Sequence, residues 1–198
     1  MWKHVRGSPD WHYVGLLVVI MVLLQVIGPE FFRYESNWIS SGNIWRPFTA
    51  HLVHVGWLHV LLNLSGLVFC VVLTSPGWSF RKWFWFSACL ASGISCMLTY
   101  FSPEVGYYAG YSGILFGLFL LAAVSLFPRD RLVASLVIAG IISRVLMEQF
   151  EFYNFNTSEL IGAPVVVDAH LYGLVIAIAI ALIWTRYTMN LTSNRKSD

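Results

Sequence analysis

Two chemically reactive side chains lie within apolar stretches of this sequence. Ser112 lies in Gly110-Tyr111-Ser112-Gly113 at the start of one apolar run, and His170 lies near the start of another. Such side chains are costly in hydrocarbon, so their presence there indicates function. A serine hydroxyl becomes a strong nucleophile when an adjacent base accepts its proton. If Ser112 and His170 meet, the sequence predicts a base-activated nucleophile that works inside a membrane.

The composition is typical of an integral membrane protein. Of the 198 residues, 58% are hydrophobic and 11% are charged, whereas soluble domains average about 25% charged residues. The mean hydropathy is +0.68. The net charge of +2 is too small to predict nucleic-acid binding. We therefore expect one helical domain over residues 1–198, with the lipid bilayer as its surroundings.

Six apolar runs predict six transmembrane helices, because a spanning helix needs about 20 apolar residues and Pro and Gly punctuate the sequence between the runs. Residues 26–29 lack the small-residue cleavage site of a signal peptide, which favours a retained first helix. The predicted fold class is an all-α membrane protein, a bundle of six transmembrane helices. We expect helices near residues 11–28, 57–73, 83–101, 110–127, 132–149 and 165–184.

The distribution of basic residues predicts the orientation. Nine of the 12 Lys and Arg residues fall in the N-terminus, the second and fourth loops and the C-terminal tail, and two fall in the first loop. Because cytoplasmic segments carry the excess of positive charge, we expect both termini to be cytoplasmic. The second, fourth and sixth helices then begin on the outer side, which puts His59, Ser112 and His170 at a similar depth.

The first loop, Gly28–Gly56, is unusually long, and loops of this length are uncommon unless they have a function. Its Trp and Phe side chains suit the lipid–water interface. We expect the loop to be membrane-associated and to lie in the outer leaflet. The aromatic residues concerned are Phe31, Phe32, Trp38, Trp45 and Phe48.

Small residues predict a close contact between the fourth and sixth helices. The fourth contains Gly113-x-x-x-Gly117 and the sixth contains Gly173-x-x-x-Ala177. Such spacings let helix backbones approach closely in membranes. Both pairs lie just below the reactive serine and histidine, where the contact is needed.

Helix geometry selects the side chains that accompany His170. Asp168 precedes it by two residues, or about 200° around a helix, so we expect Asp168 to point away, toward outer water or the cap of the sixth helix. A Ser–His dyad is therefore favoured over a triad with Asp168. Phe116 follows Ser112 by four residues and shares its face, where it can stack under the imidazole.

Hydrogen-bond donors for a developing oxyanion are predicted at two places. The N–H of Ser112 lies at a helix N-terminus, where free N–H groups and the dipole favour negative charge. His59 and Asn63 are four residues apart on the second helix and share a face. Both can donate to one oxygen atom.

Two competing uses of the polar residues are less consistent with the sequence. His51, His54 and His59 are possible zinc ligands, but no His-Glu-x-x-His pattern or nearby acidic ligand accompanies them, so no metal site is predicted. Arg144 and Glu148 are four apart on the fifth helix. We interpret them as a structural ion pair rather than a transport site, since no internal repeat accompanies them.

Three segments resemble the motifs of rhomboid intramembrane serine proteases. Residues 45–63 resemble their first loop and second helix, through Trp-Arg at the start, His54, His59 and a final Asn63. Residues 110–117 resemble their Gly-x-Ser-Gly nucleophile motif, and Ala169-His170 with Gly173 resembles their last-helix histidine motif. The motifs follow in the same order on the corresponding helices.

The resemblance implies a role for each residue. Ser112 is the nucleophile, His170 is the general base, His59 and Asn63 contribute to the oxyanion hole, and Phe116 supports the His170 ring. The flanking residues of the nucleophile motif are Gly110 and Gly113. The implied partner is a membrane-anchored protein substrate, with no cofactor and no nucleic acid, and the oligomeric state stays open.

Within the rhomboids, the six-helix form and residues 162–170 (Gly-Ala-Pro-Val-Val-Val-Asp-Ala-His) most resemble rhombosortases. These are bacterial inner-membrane proteases that process proteins with a C-terminal Gly-Gly motif, a membrane helix and a basic tail. The resemblance implies a site that opens to the periplasm. The alternatives are a general rhomboid protease of other single-span substrates and a non-catalytic binder of membrane helices.

Overall fold

The computed structural model describes residues 11–74, 77–150 and 157–194, with side chains up to residue 186. Four basic residues of the predicted charge bias lie outside this part of the chain: Lys3, Arg6, Arg195 and Lys196. The described helices are α1 (Trp11–Ile27), α2 (Arg46–Thr49), α3 (Trp57–Thr74), α4 (Phe80–Phe101), α5 (Ser112–Leu126), α6 (Arg131–Gln149), α7 (Thr157–Ile161) and α8 (Val167–Asn194). The described strands are β1 (Tyr34–Glu35) and β2 (Tyr107–Tyr108), and the described 3-10 turns are Pro29–Phe31 and Ala50–Leu52.

The prediction of an all-α membrane protein is confirmed. Among the described residues, four helices are long and apolar enough to cross a membrane, namely α3, α4, α6 and the first 20 residues of α8, with mean hydropathy between 1.4 and 2.0. The apolar helices α1 and α5 are shorter, at 17 and 15 residues. That these two also span the bilayer stays a prediction.

Two helices extend three residues or more beyond their predicted ends. The first turn of α4 includes Arg81 and Lys82, and the Lys82 ammonium lies 3.6 Å from the centre of the Trp184 ring on α8. This cation–π contact gives the charge a partner where its stem is half-buried. Similarly, α8 continues to Asn194, ten residues beyond its predicted end. In both helices the apolar run is shorter than the helix that contains it.

The central helix is α5, which packs on α3, α4, α6 and most extensively on α8. It is apolar all round, as expected of a helix surrounded by other helices. A Cβ on Gly173 would overlap the carbonyl oxygen of Gly113, and a Cβ on Gly113 would lie 2.7 Å from the oxygen of Ala169. The predicted close contact of small residues is therefore confirmed.

The first loop is folded against the bundle. Its strand β1 pairs antiparallel with β2, opposing Tyr34 to Tyr108. The Tyr34 hydroxyl and the Trp38 indole N–H both hydrogen-bond to Thr99 Oγ1 on α4, at 3.1 and 3.2 Å. Two-residue strands carry no detectable periodicity, so the sequence predicts no strand here. Other apolar side chains of the loop are exposed, including Phe31, Ile44 and Phe48, which fits the predicted membrane association.

Three charged residues of the first loop form a cluster of ion pairs. Glu35 lies 2.6 Å from Arg46 Nη1 and 3.3 Å from Arg33 Nε. The Arg46 guanidinium holds the pKa of the Glu35 carboxyl below its usual value. Because Glu35 belongs to β1, the cluster fixes the strand that pairs with the segment leading to Ser112.

Candidate active site

The turn before Ser112 is held by the first loop. The Gly110 N–H donates to the Ala50 oxygen at 3.0 Å, and the Tyr108 hydroxyl donates to the Gly110 oxygen at 2.6 Å. Gly110 has φ +145°, and a Cβ there would lie 2.8 Å from Cε1 of His59. Only glycine meets both conditions. The chain then enters α5 with Ser112 as its first residue.

Ser112 and His170 lie in hydrogen-bond contact. His170 Nε2 lies 2.8 Å from Ser112 Oγ, and the His170 side chain is buried. The residues come from α5 and α8, whose close packing through Gly113 and Gly173 brings them together. A hydroxyl this close to an imidazole nitrogen can transfer its proton as it attacks an electrophile.

Phe116 lies against the histidine ring as expected. The ring centroids of Phe116 and His170 are 4.3 Å apart with an interplanar angle of 16°. Phe116 lies one turn below Ser112 on α5, so one helix provides both the hydroxyl and the surface that supports the imidazole. The stack limits rotation of the imidazole away from Ser112.

Glu148 occupies the other side of His170. Its Oε2 lies 2.7 Å from His170 Nδ1, and its Oε1 lies 2.8 Å from Nη2 of Arg144. Only 6% of the Glu148 side chain is exposed. Arg144 also donates to Thr157 Oγ1 on α7 at 3.1 Å. A continuous polar chain therefore extends from α7 through α6 to the histidine.

His59 and Asn63 lie on the wall of the cavity that contains Ser112 and His170. Asn63 Nδ2 donates to the His59 backbone oxygen at 2.9 Å. An amide nitrogen carries two hydrogens, so the second is available to another acceptor. The Ser112 N–H has no acceptor within α5, since it belongs to the first turn.

The cavity has a volume of about 370 Å³. Its walls come from α3, α5, α6, α7, the strand β2, the segment before α8 and the first part of α8, and most of the lining is apolar. Apolar pockets with a few convergent polar groups are typical of sites for substrates. The apolar lining includes Leu62, Leu115, Phe119, Ile141 and Pro164.

A serine hydroxyl, an imidazole and hydrogen-bond donors therefore converge inside a bundle of apolar helices. Residues 41–187 match the family model of the Rhomboid domain. The chain belongs to the rhomboid family. Members of this family are intramembrane serine proteases, and the matched region includes every site residue described above. No curated protein matches the chain. The rhombosortase assignment stays a prediction.

The sequence of this rhomboid did not predict the contact between Glu148 and His170. The predicted pair of Arg144 with Glu148 is present, but its interpretation as purely structural is incomplete, because one carboxylate oxygen faces the histidine. A signal existed, since an ionisable residue in an apolar helix is by default a functional candidate. The sequence did not indicate which face of α6 meets α8.

Asp168 points away from His170, as expected. The Ser102 hydroxyl donates to Asp168 Oδ2 at 2.5 Å and also contacts the Tyr172 hydroxyl at 2.6 Å. Asp168 thus connects the start of α8 to the end of α4. It does not cap α8 from outside, because it lies within the first turn.

The two remaining loop histidines have different surroundings. His51 Nε2 lies 2.9 Å from Ser95 Oγ and 3.1 Å from the Ala91 oxygen on α4. The His54 ring instead lies perpendicular to that of His59, with centroids 4.9 Å apart. Burial, with a smaller contribution from His59, lowers the pKa of His54 to about 3. Its ring is neutral and adds no charge beside the cavity.

Proposed function

We propose that this rhomboid is an intramembrane serine endopeptidase that cleaves membrane-anchored proteins, with Ser112 as nucleophile and His170 as general base. The observation that carries the proposal is the 2.8 Å contact between Ser112 Oγ and His170 Nε2 at the wall of an apolar cavity. The family supports the reaction class. Retention of both residues in contact argues against a non-catalytic binder.

In the first half of the reaction, Ser112 Oγ bonds to the scissile carbonyl carbon while His170 Nε2 takes the hydroxyl proton. The carbonyl oxygen becomes an oxyanion, which the Ser112 N–H, Asn63 and His59 stabilise. The C–N bond then breaks, and His170 gives the proton to the leaving amine. In the second half, a water molecule loses a proton to His170 and attacks the acyl-enzyme. The Ser112 oxygen leaves and regains that proton.

The length of α5 supports a site recessed in the membrane. Its 15 residues extend about 22 Å at ~1.5 Å per residue, against a hydrocarbon core of about 30 Å. Arg129, Asp130 and Arg131 follow its C-terminal end and mark one surface. Ser112 therefore lies several ångströms below the opposite surface.

The basic residues support an orientation with the site toward the outside. Arg81 and Lys82 begin α4, Arg129 and Arg131 follow α5, and Arg186 lies in the last part of α8. The Lys82–Trp184 contact brings the ends of α4 and α8 to one side. With that side cytoplasmic, the site opens to the periplasm of a bacterial inner membrane.

A substrate helix must unwind before its peptide bond reaches Ser112. Small residues, Gly above all, lower the cost of leaving the helix. Together with the resemblance of residues 162–170 to rhombosortases, this favours C-terminal Gly-Gly sorting segments as substrates. A test compares two otherwise identical single-span substrates with Gly-Gly or Leu-Leu above the membrane helix. Equal cleavage of the two would favour a general rhomboid protease.

The decisive experiment for the reaction is covalent labelling of the purified protein with a fluorophosphonate, alongside cleavage of a single-span substrate. Ser112→Ala and His170→Ala are expected to fold, to resist labelling and to cleave nothing. Ser92→Ala is a matched control, because the Ser92 hydroxyl is exposed on α4 and bonds to the Ala88 oxygen of its own helix. Cleavage by Ser112→Ala would refute the proposal. The mass of the new C-terminus distinguishes hydrolysis from transfer to an amine.

A further inference from the structure

The proposed Ser–His reaction leaves one buried charged group beside the base without a role. We propose that Glu148 is a positioning residue, which holds His170 with Nε2 toward Ser112 and stabilises the imidazolium that forms during the reaction. The inference rests on the proposed protease function. It converts the dyad into a chain of carboxylate, imidazole and hydroxyl, with Arg144 as counter-ion of the carboxylate.

The two contacts of His170 determine which nitrogen carries the hydrogen. A neutral imidazole has one N–H donor and one acceptor nitrogen, and an ionised carboxylate only accepts. Because Nδ1 lies 2.7 Å from Glu148 Oε2, the hydrogen belongs on Nδ1. Nε2 is then the acceptor, and it lies 2.8 Å from the Ser112 hydroxyl. Glu148 thus selects the tautomer that can act as a base.

The same contact favours the charge that appears during attack. When the Ser112 proton reaches Nε2, the ring becomes a cation between Glu148 on one side and the face of Phe116 on another. Charges interact strongly in surroundings from which water is excluded. The proton stays on His170 until it passes to the leaving amine. Glu148 therefore neither donates nor accepts a proton in the reaction.

Arg144 explains how a carboxylate is tolerated on an apolar helix. An unpaired carboxylate within a membrane is expensive, and Arg144 lies one turn away at 2.8 Å from the second carboxylate oxygen. Thr157 fixes the guanidinium from α7. Each oxygen of Glu148 therefore has a separate partner, one for charge balance and one for His170.

A purely structural ion pair is the competing explanation. Replacing a buried ion pair by apolar residues of similar volume is often neutral or stabilising, so stability alone does not require Glu148. A purely structural ion pair between Arg144 and Glu148 also does not require a contact with His170. The structure has that contact at Nδ1, the ring nitrogen that does not face Ser112. The two explanations differ in what the carboxylate does to the chemical step.

The experiment measures kcat and KM of the Glu148→Gln variant for a single-span substrate. It also measures the rate at which a small phosphonofluoridate labels Ser112, a reaction that does not require a substrate helix to enter the site. We expect kcat to fall about 10²- to 10⁴-fold, KM to change little and labelling of Ser112 to slow in parallel. Glu148→Asp is expected to recover part of kcat. Asp168→Asn is the matched control, because it also replaces a carboxyl group near His170, but one that is bonded to Ser102 instead of the imidazole. We expect this variant to keep the wild-type kcat.

Glu148→Gln removes the carboxylate that Arg144 contacts at 2.8 Å and can fail to fold for that reason. The double variant Arg144→Gln with Glu148→Gln removes both charges, and we expect it to fold with the same loss of kcat. A wild-type kcat or labelling rate in either folded variant would overturn the role of Glu148. If Ser112→Ala and His170→Ala are inactive in the same assay, that result leaves the protease proposal intact. Cleavage by Ser112→Ala would instead remove both.

Discussion

Helix α8 meets two helices at the site, and the two contacts are built differently. Against α5 it packs backbone to backbone, with Gly173 directly on Gly113. Against α6 it is joined at the site by a hydrogen bond from His170 to Glu148. Nine of the 15 residues of α5 are buried, compared with three of the 19 in α6, so α6 mainly faces outward.

The difference separates two tasks. Close-packed backbones have few alternative arrangements, so the α5–α8 contact fixes the distance from Ser112 to His170. A helix with few buried side chains is less constrained. At the site, hydrogen bonds link α6 to α8 through Glu148 and His170 and to α7 through Arg144 and Thr157. The proposed nucleophile and base therefore lie on the rigid side of the site, and the proposed positioning carboxylate lies on the more adaptable side.

The largest effect is expected from Gly173→Ala, which disrupts the close α5–α8 contact, the rigid side of the site. Its Cβ would overlap the Gly113 oxygen, so the helices must separate and the hydrogen bond between Ser112 and His170 must lengthen. We expect loss of fluorophosphonate labelling and a loss of unfolding free energy of about 1–3 kcal/mol, measured by thermal unfolding in detergent. Gly140→Ala on α6 is the matched control for stability, since nothing lies within 4 Å of its added Cβ. If Gly173→Ala and Gly140→Ala lose the same unfolding free energy, the α5–α8 contact is no more rigid than the packing of α6.

The rigid side could be predicted from sequence because its signals are local. Small residues four apart gave the α5–α8 contact, and the spacing of Phe116 from Ser112 gave the stack on His170. The adaptable side carried no such signal. Apolar residues are spread around α6, so its sequence has little periodic pattern to indicate which face meets α8, and the contact of Glu148 with His170 could not be predicted from spacing. The β1–β2 ladder was missed for a similar reason, because four residues show no period.

The second largest effect is expected from Asn63→Ala on α3. Removing one oxyanion donor lowers kcat by about 10- to 1000-fold with little change in KM, because the interaction forms mainly in the transition state. Steady-state cleavage of a single-span substrate measures both constants. Ser65→Ala is the control on the same helix, since the Ser65 hydroxyl is exposed and bonds to the Leu61 oxygen. A loss confined to KM would make Asn63 a binding residue instead.

A smaller effect is expected from Phe116→Leu, which keeps an apolar side chain but removes the ring stacked on His170. Stacked ring pairs contribute about 0.5–1.5 kcal/mol beyond their buried area, so kcat should fall about two- to twelvefold. Phe119→Leu provides the comparison, because Phe119 lines the cavity and pairs with Phe69 rather than with His170. It should change KM more than kcat. The reverse pattern would mean that Phe116 only shapes the cavity.

The smallest effect is expected from Glu35→Gln, which tests whether the first loop belongs to the rigid side. Arg46 lowers the pKa of Glu35 in the folded protein, so this pair stabilises the fold above the unfolded pKa of a glutamate and ceases to do so as pH falls through the folded pKa. Thermal unfolding should therefore show Glu35→Gln less stable than wild type at neutral pH, by at most about 1 kcal/mol for a partly exposed pair. The two curves should converge in acid. A difference that persists at acidic pH would show that Glu35 acts through packing of β1 on β2, so that charge contributes nothing to holding the turn before Ser112.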